Sequence, residues 1–328
     1  MNIEKLFYID DLDNKKISYK RFFSDLSGIS EISVLCRKNS IYEYFLYISA
    51  SLISQTPIVL LDSDLSESEI KELCGNGNFL QKYNVNIPQI KSFEEFLSLV
   101  KAGANLWTCT LFTSGTSGTP KRISHSLKSL ARQAKISPKH SDDVWGFAYN
   151  PTHIAGLQVF FQALFNTNTI VRLFGLPAKT LIETIQKEAI THISATPTFF
   201  RMLPAPDRPI QSVRAITSGG EKFDARAMEK LSKAFPAARI HNIYASTEMG
   251  SVLASKGDIF TPDENTKKLL QIKDGELWIH KSLAGKSENI ALSGEWYNTG
   301  DCVEIISENP LSFKFLSLIH ISEPTRRS

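Results

Sequence analysis

Cysteine is scarce and scattered. The four in 328 residues, Cys36, Cys74, Cys109 and Cys302, share no metal-ligand spacing. That excludes a disulfide scaffold and a cysteine-based zinc module, and makes a reducing, cytoplasmic compartment the expectation. An excess of one charge is also lacking. Lysine and arginine number 37 against 34 aspartates and glutamates, a net charge of +3. This leaves no electrostatic footprint for nucleic acid or an anionic membrane. No apolar run reaches bilayer length: the most apolar stretch, 154–165, is interrupted by Gln158 and Gln162, so no membrane span is expected. A secretory leader is not expected either, because Glu4, Asp10 and Asp11 already fall in the first eleven residues. Repeats and low-complexity tracts are missing. What remains is a globular composition, 42% hydrophobic and 22% charged, long enough for more than one packed unit.

Strands and helices alternate through most of the chain, which predicts an α/β fold. Apolar runs at 31–36, 56–61, 106–112, 143–149, 169–174, 192–195, 214–217 and 239–244 read as strands. Helical spacing marks 41–54, 126–135, 155–165, 179–188 and 224–235. Ser66 followed by Glu69 reads as the start of a further helix. Beyond residue 250, Gly257, Gly275 and Gly294 punctuate short runs at 276–280, 302–306 and 313–316, as in a small antiparallel β unit. The expected division is two packed α/β subdomains, 1–105 and 106–250, followed by a β subdomain at 251–316. Residues 317–328 fit nothing before them. The run 316–326 resembles a translated sequencing adapter, so the native segment is expected to end near Leu316.

The densest chemical signal is Thr113-Ser114-Gly115-Thr116-Ser117-Gly118-Thr119-Pro120-Lys121. It follows an expected strand and leads towards an expected helix. Its glycines permit close backbone approach. Its hydroxyls and backbone N–H groups offer donors, and Lys121 adds a positive charge, a composition suited to polyphosphate. The spacing is not that of a P-loop NTPase, since Gly115 and Gly118 are too close and Lys121 follows proline.

At these residues the chain resembles the adenylate-forming enzymes: acyl- and aryl-CoA synthetases, luciferases and peptide-synthetase adenylation domains. Their phosphate loop is matched except at Ser117. Three further segments resemble the family's motifs in the family's order. They are Ser218-Gly219-Gly220-Glu221, Tyr244-Ala245-Ser246-Thr247-Glu248, where Ala245 replaces a usual glycine, and Tyr297-Asn298-Thr299-Gly300-Asp301.

The resemblance implies ATP and Mg²⁺ as cofactors and attack of a carboxylate on the α-phosphate, assisted by positioning and electrostatics. It implies that residues 113–121 hold the β- and γ-phosphates. Thr247 and Ser246 would lie at the nucleotide, Thr247 bonding the α-phosphate. Glu248 would hold Mg²⁺. Tyr244 would pack on the adenine, with Gly219, Gly220 and Glu221 along it. Asp301 would accept the ribose hydroxyls. Lys121 and Thr247 are thus catalytic candidates, joined by His153 in the segment Pro151-Thr152-His153-Ile154-Ala155-Gly156, which resembles the border of the family's acyl site.

Departures narrow this reading. The stretch 148–151 carries no aspartate to pair a substrate ammonium, and the next aspartate in the chain is Asp207. An unpaired buried ammonium is costly, so the expected substrate is a small carboxylic acid without an α-amine. The family's hinge and mobile C-terminal domain, with its lysine, have no counterpart here, so the activity of this chain is expected to be impaired. Three readings stand: a CoA synthetase, an adenylation module loading an acyl-carrier protein, and a non-catalytic nucleotide-binding domain. The acceptor is accordingly coenzyme A or a carrier-protein thiol.

Overall fold

The computed structural model describes residues 2–74, 81–113, 121–219, 225–284 and 292–316. Among them the larger sheet has eight strands, in the spatial order Gly250–Ser255, Arg239–Ser246, Ala215–Gly219, His192–Ala195, Val144–Phe147, Thr169–Arg172, Leu6–Asp10 and Lys15–Ser18. The six inner strands are parallel, and an antiparallel strand closes each edge. Inner strands are apolar on both faces, as parallel sheets require when helices cover them. Ile170 and Val171, for instance, are fully buried.

A second sheet runs Leu35–Arg37, Ile58–Leu61, Cys109–Thr113, Lys121–His125, the last strand antiparallel. Helices Ile41–Ile53 and Ile154–Phe165 share one core with both sheets, and within it Phe45 and Phe160 stack at 4.4 Å. Ser40 and Glu43 form a capping box that starts the first of these helices, and Ser66 with Glu69 does the same for Glu67–Cys74.

The β unit is antiparallel, in the order Ile259–Phe260, Leu311–Phe315, Trp296–Glu308, Glu276–His280, Leu270–Lys273, with Leu292–Ser293 beside Trp296–Glu308. Its core takes in Tyr244 and Met249 from the larger sheet. The turn between those two residues is therefore anchored at the junction of the two units.

The α/β class and the small β unit are as expected, while several details differ. The run 31–36 is two strands, not one. Glu31–Ser33 pairs with Lys82–Asn84, and Leu35–Arg37 pairs with Ile58–Leu61. The position expected to divide subdomains, residue 105, does not separate the sheets. Leu6–Asp10 pairs with Thr169–Arg172, whereas Cys109–Thr113 and Lys121–His125 complete the sheet begun at Leu35. The segment after the Ser/Thr/Gly loop is a strand rather than a helix, because Ile123 and His125 alternate inward against exposed Arg122. The expected helix 126–135 shortens to the single turn Leu127–Leu130. Residues 317–328 lie outside the described residues. No described helix is long and apolar enough to cross a membrane.

Candidate active site

A cavity of about 1740 Å³ opens along the larger sheet, and Gly219, Ser246, Thr247, Glu248 and His153 line it. Gly219 ends strand Ala215–Gly219, and Ser246 ends the adjacent parallel strand Arg239–Ser246. Parallel pairing thus brings two of the motifs to one edge. His153 reaches the same cavity from the start of helix Ile154–Phe165. The segment before this helix passes so close that a Cβ on Gly156 would lie 2.4 Å from the Asn150 carbonyl oxygen. Only glycine fits there.

The Thr247-Glu248 turn is held from several sides. Ser246 Oγ accepts from the Met249 N–H at 3.3 Å. Arg132 donates to the carbonyls of Met249 (2.5 Å), Ser251 (3.3 Å) and Leu283 (3.1 Å). Burial pulls the Arg132 pKa down, but its three carbonyl partners satisfy the charge. His125 is buried beneath the same turn. Its Nδ1 lies 3.2 Å from Ser129 Oγ, and its Nε2 lacks a partner of full hydrogen-bond geometry. Burial lowers its pKa to about 4, although the nearby Thr247 backbone opposes this.

Glu248 is 6% exposed and borders the cavity. Its carboxylate makes no hydrogen bond or ion pair among the described residues. Its oxygens are not among the enclosed unpartnered atoms, so they are open to the cavity and free to take a cation. The hard oxygen donor fits Mg²⁺, which takes one or two carboxylates and phosphate oxygens.

Tyr244 and Asp301 are brought together, but not at the cavity wall. The Tyr244 hydroxyl donates to Asp301 Oδ2 at 2.7 Å, and the two side chains are 2% and 0% exposed. The Tyr244 ring stacks on Phe315, with centroids 4.3 Å apart. Burial, then the Asp301 charge, pushes the tyrosine pKa well up. In this conformation neither side chain presents the face expected for adenine or ribose. Asp301 faces inward with Tyr297, Thr299 and Val303 by strand alternation, and Gly300 precedes it. That glycine adopts φ +72° within strand Trp296–Glu308, where the register to Glu276–His280 shifts. Tyr297 lies near both acids, and its pKa is raised by burial first and then by Glu248 and Asp301.

The acyl-site segment is tied to a residue the sequence reading did not single out. Asp62, at the end of strand Ile58–Leu61, accepts from Asn150 Nδ2 at 3.2 Å and from the Thr152 hydroxyl, and lies 3.9 Å from His153 Nε2. An acid therefore stands beside His153, although none occurs nearby in the chain. Phe199 and Met202 line the cavity, whereas Phe160, Phe161 and Phe200 are fully buried core.

Ser114, Gly115, Thr116, Ser117, Gly118 and Thr119 lie outside the described residues, as do Gly220 and Glu221. So do the side chains of Thr113 and Lys121, whose backbones are register partners at the ends of adjacent strands.

The chain belongs to the AMP-binding enzyme family, whose profile matches residues 53–272. One relative is the mitochondrial acyl-coenzyme A synthetase ACSM4 of Rattus norvegicus, 25% identical over 217 residues. That match covers 62% of this chain and 37% of the relative, so the chain spans well under half of the relative's length. Among solved structures, a variant of E. coli MenE with bound OSB-AMS superposes with a TM-score of 0.69 at 16% identity. It covers 97% of this chain and 76% of that one. The o-succinylbenzoate coenzyme A synthetase (MenE) of Bacillus subtilis, in complex with ATP and magnesium ion, gives 0.67 at 18%, covering 96% and 77%. The acyl-CoA synthetase-like architecture expected from the motifs is thus the observed one.

Proposed function

We propose that this chain carries the nucleotide- and acid-binding part of an ATP-dependent acyl- or aryl-CoA synthetase. The observation that carries the proposal is the Glu248 carboxylate beside Thr247, on the wall of a cavity that also reaches His153. A solved relative described with ATP and magnesium ion supports the same cofactors here. Relatives named as coenzyme A ligases support coenzyme A over a carrier protein as acceptor.

In this reading residues 113–121 receive the β- and γ-phosphates, and the Thr247 hydroxyl donates to an α-phosphate oxygen. Glu248 holds Mg²⁺, which when bound neutralises phosphate charge. A substrate carboxylate oriented near His153 attacks the α-phosphorus; the new O–P bond forms as the bond to pyrophosphate breaks. Tyr244 and Asp301 serve adenine and ribose after the present buried pair opens. Phe199 and Met202 favour an apolar acid. An acid without an α-amine is the substrate class proposed, because residues 148–151 carry no aspartate to pair an ammonium.

The test is calorimetric titration with Mg·ATP and with non-hydrolysable acyl-sulfamoyl adenosines bearing fatty, aryl or α-amino acyl groups. Glu248→Gln removes a charged contact worth about 1–3 kcal/mol, so Mg²⁺-dependent ATP affinity falls about 5–150-fold. Circular dichroism of the variant should match the parent. Equal Mg²⁺-dependent affinity in both proteins removes Glu248 from the site. Tightest binding of the α-amino acyl compound overturns the substrate class.

A further inference from the structure

At the opposite edge of the same parallel sheet lies a second cluster of ligating groups. Asp143 immediately precedes strand Val144–Phe147, and His192 opens the neighbouring strand His192–Ala195. Gly219 and Ser246 end strands parallel to these, so the cluster sits where the strands begin and the nucleotide motifs where they end. His140, from the turn before Asp143, completes it. One ligating atom from each of the three side chains lies within 4.8 Å of the others.

One arrangement of protons leaves a ligating lone pair in the cluster. Thr191 Oγ1 accepts from the Val144 N–H at 2.8 Å and donates to the Val144 carbonyl at 3.1 Å. With its proton so directed, it accepts from His192 Nδ1 at 2.8 Å. Neutral His192 then carries its lone pair on Nε2, 3.6 Å from Asp143 Oδ2. Two acceptors then face each other, and a cation between them would satisfy both.

His140 Nδ1 hydrogen-bonds the same Oδ2 at 2.8 Å, a bond the metal would replace. Arg214 donates to the other carboxylate oxygen, Oδ1, at 3.0 Å, and so aims Oδ2 at the imidazoles. A threonine fixing an imidazole tautomer and an arginine orienting a carboxylate are the supports that ligated metals have. Asp143 is 2% exposed, which sets it apart from an incidental surface acid. The neighbouring cations do not fill the gap: Arg214 occupies Oδ1, and Lys5 donates to the Ser141 carbonyl.

We infer that His140, Asp143 and His192 form a binding site for a divalent d-block cation, Zn²⁺ first. Two imidazoles and a carboxylate suit Zn²⁺, whose tetrahedral ligand atoms stand about 3.4 Å apart, a spacing that small side-chain rotations supply here. All three residues line the cavity, leaving the fourth position open to water or a small ligand. The metal would tie together the beginnings of two adjacent strands.

The experiment titrates the full chain with ZnCl₂ by calorimetry and with CoCl₂ by visible absorption, adding His140→Asn and His192→Gln variants. One equivalent should bind, with the strong visible bands of four-coordinate cobalt. Each variant should weaken binding by at least about 10²-fold, the upper end of what losing a supporting contact costs. His140 is the most exposed of the three, so its variant keeps the test valid if His192→Gln fails to fold. Glu248→Gln should leave Zn²⁺ affinity unchanged, which separates this site from the proposed Mg·ATP site. Binding weaker than about 100 µM, or affinity unaltered in His140→Asn, overturns the inference.

Discussion

Replacing Tyr244 by phenylalanine isolates one hydrogen bond at the centre of the candidate nucleotide site. The ring and its stack on Phe315 remain, while the 2.7 Å bond to fully buried Asp301 is lost. A hydrogen bond to a charged partner contributes about 1.5–3 kcal/mol, and the carboxylate left short of a donor has no water to replace it. In a chain of this size roughly 2 °C of melting temperature accompanies each kcal/mol, so a fall of about 3–6 °C is expected. Urea denaturation checks the free energy directly. Saturating Mg·ATP should narrow the gap between the two proteins, since ribose hydroxyls would supply the donors that phenylalanine withholds. A loss below about 0.5 kcal/mol would refute the bond's importance, being within the range of surface substitutions. A gap that ATP leaves unchanged would refute the ribose role of Asp301.

His125 should make stability depend on acid. Its folded pKa of about 4 lies below the unfolded value, so between these the unfolded chain binds more protons. Its contribution is complete above about pH 6.5 and is lost as pH falls towards 4, amounting to about 3 kcal/mol. His125→Gln should flatten that slope in urea titrations at stepped pH, leaving the smaller same-sign contributions of His192 and His241; an unchanged slope would count against it. Gly156→Ala should cost about 1–3 kcal/mol by forcing the 150–153 segment off the helix, read as a lower thermal midpoint. A neutral result would mean that the segment yields freely.

Elements with a purely local cause were legible in the sequence. Strands His192–Ala195 and Glu276–His280 fall on their expected bounds, and Ser66 with Glu69 starts a helix as read. Elements whose cause is distant were not. Leu6–Asp10 pairs locally with Lys15–Ser18, but its place inside the sheet comes from Thr169–Arg172, a partner no local window contains. The site divides in the same way. The Thr247-Glu248 letters identified the motif, but what holds that turn comes from a stretch read as an ordinary helix, 126–135. That stretch leaves the helical path after one turn because its side chains and backbone have better partners elsewhere. Arg132 takes three carbonyls across two units, and the Lys135 N–H takes Gln162 Oε1 at 2.7 Å. Tertiary hydrogen bonds to buried groups outweigh the few tenths of a kcal/mol per residue that helix propensity offers. Asp62 was missed for the same reason: it lies far from His153 in the chain, and the fold carries it in from a different sheet. Motifs reveal the groups that would touch a ligand, because their chemistry restricts the residue type. The groups that aim them are restricted by geometry alone, and a carbonyl-binding arginine has no sequence signature.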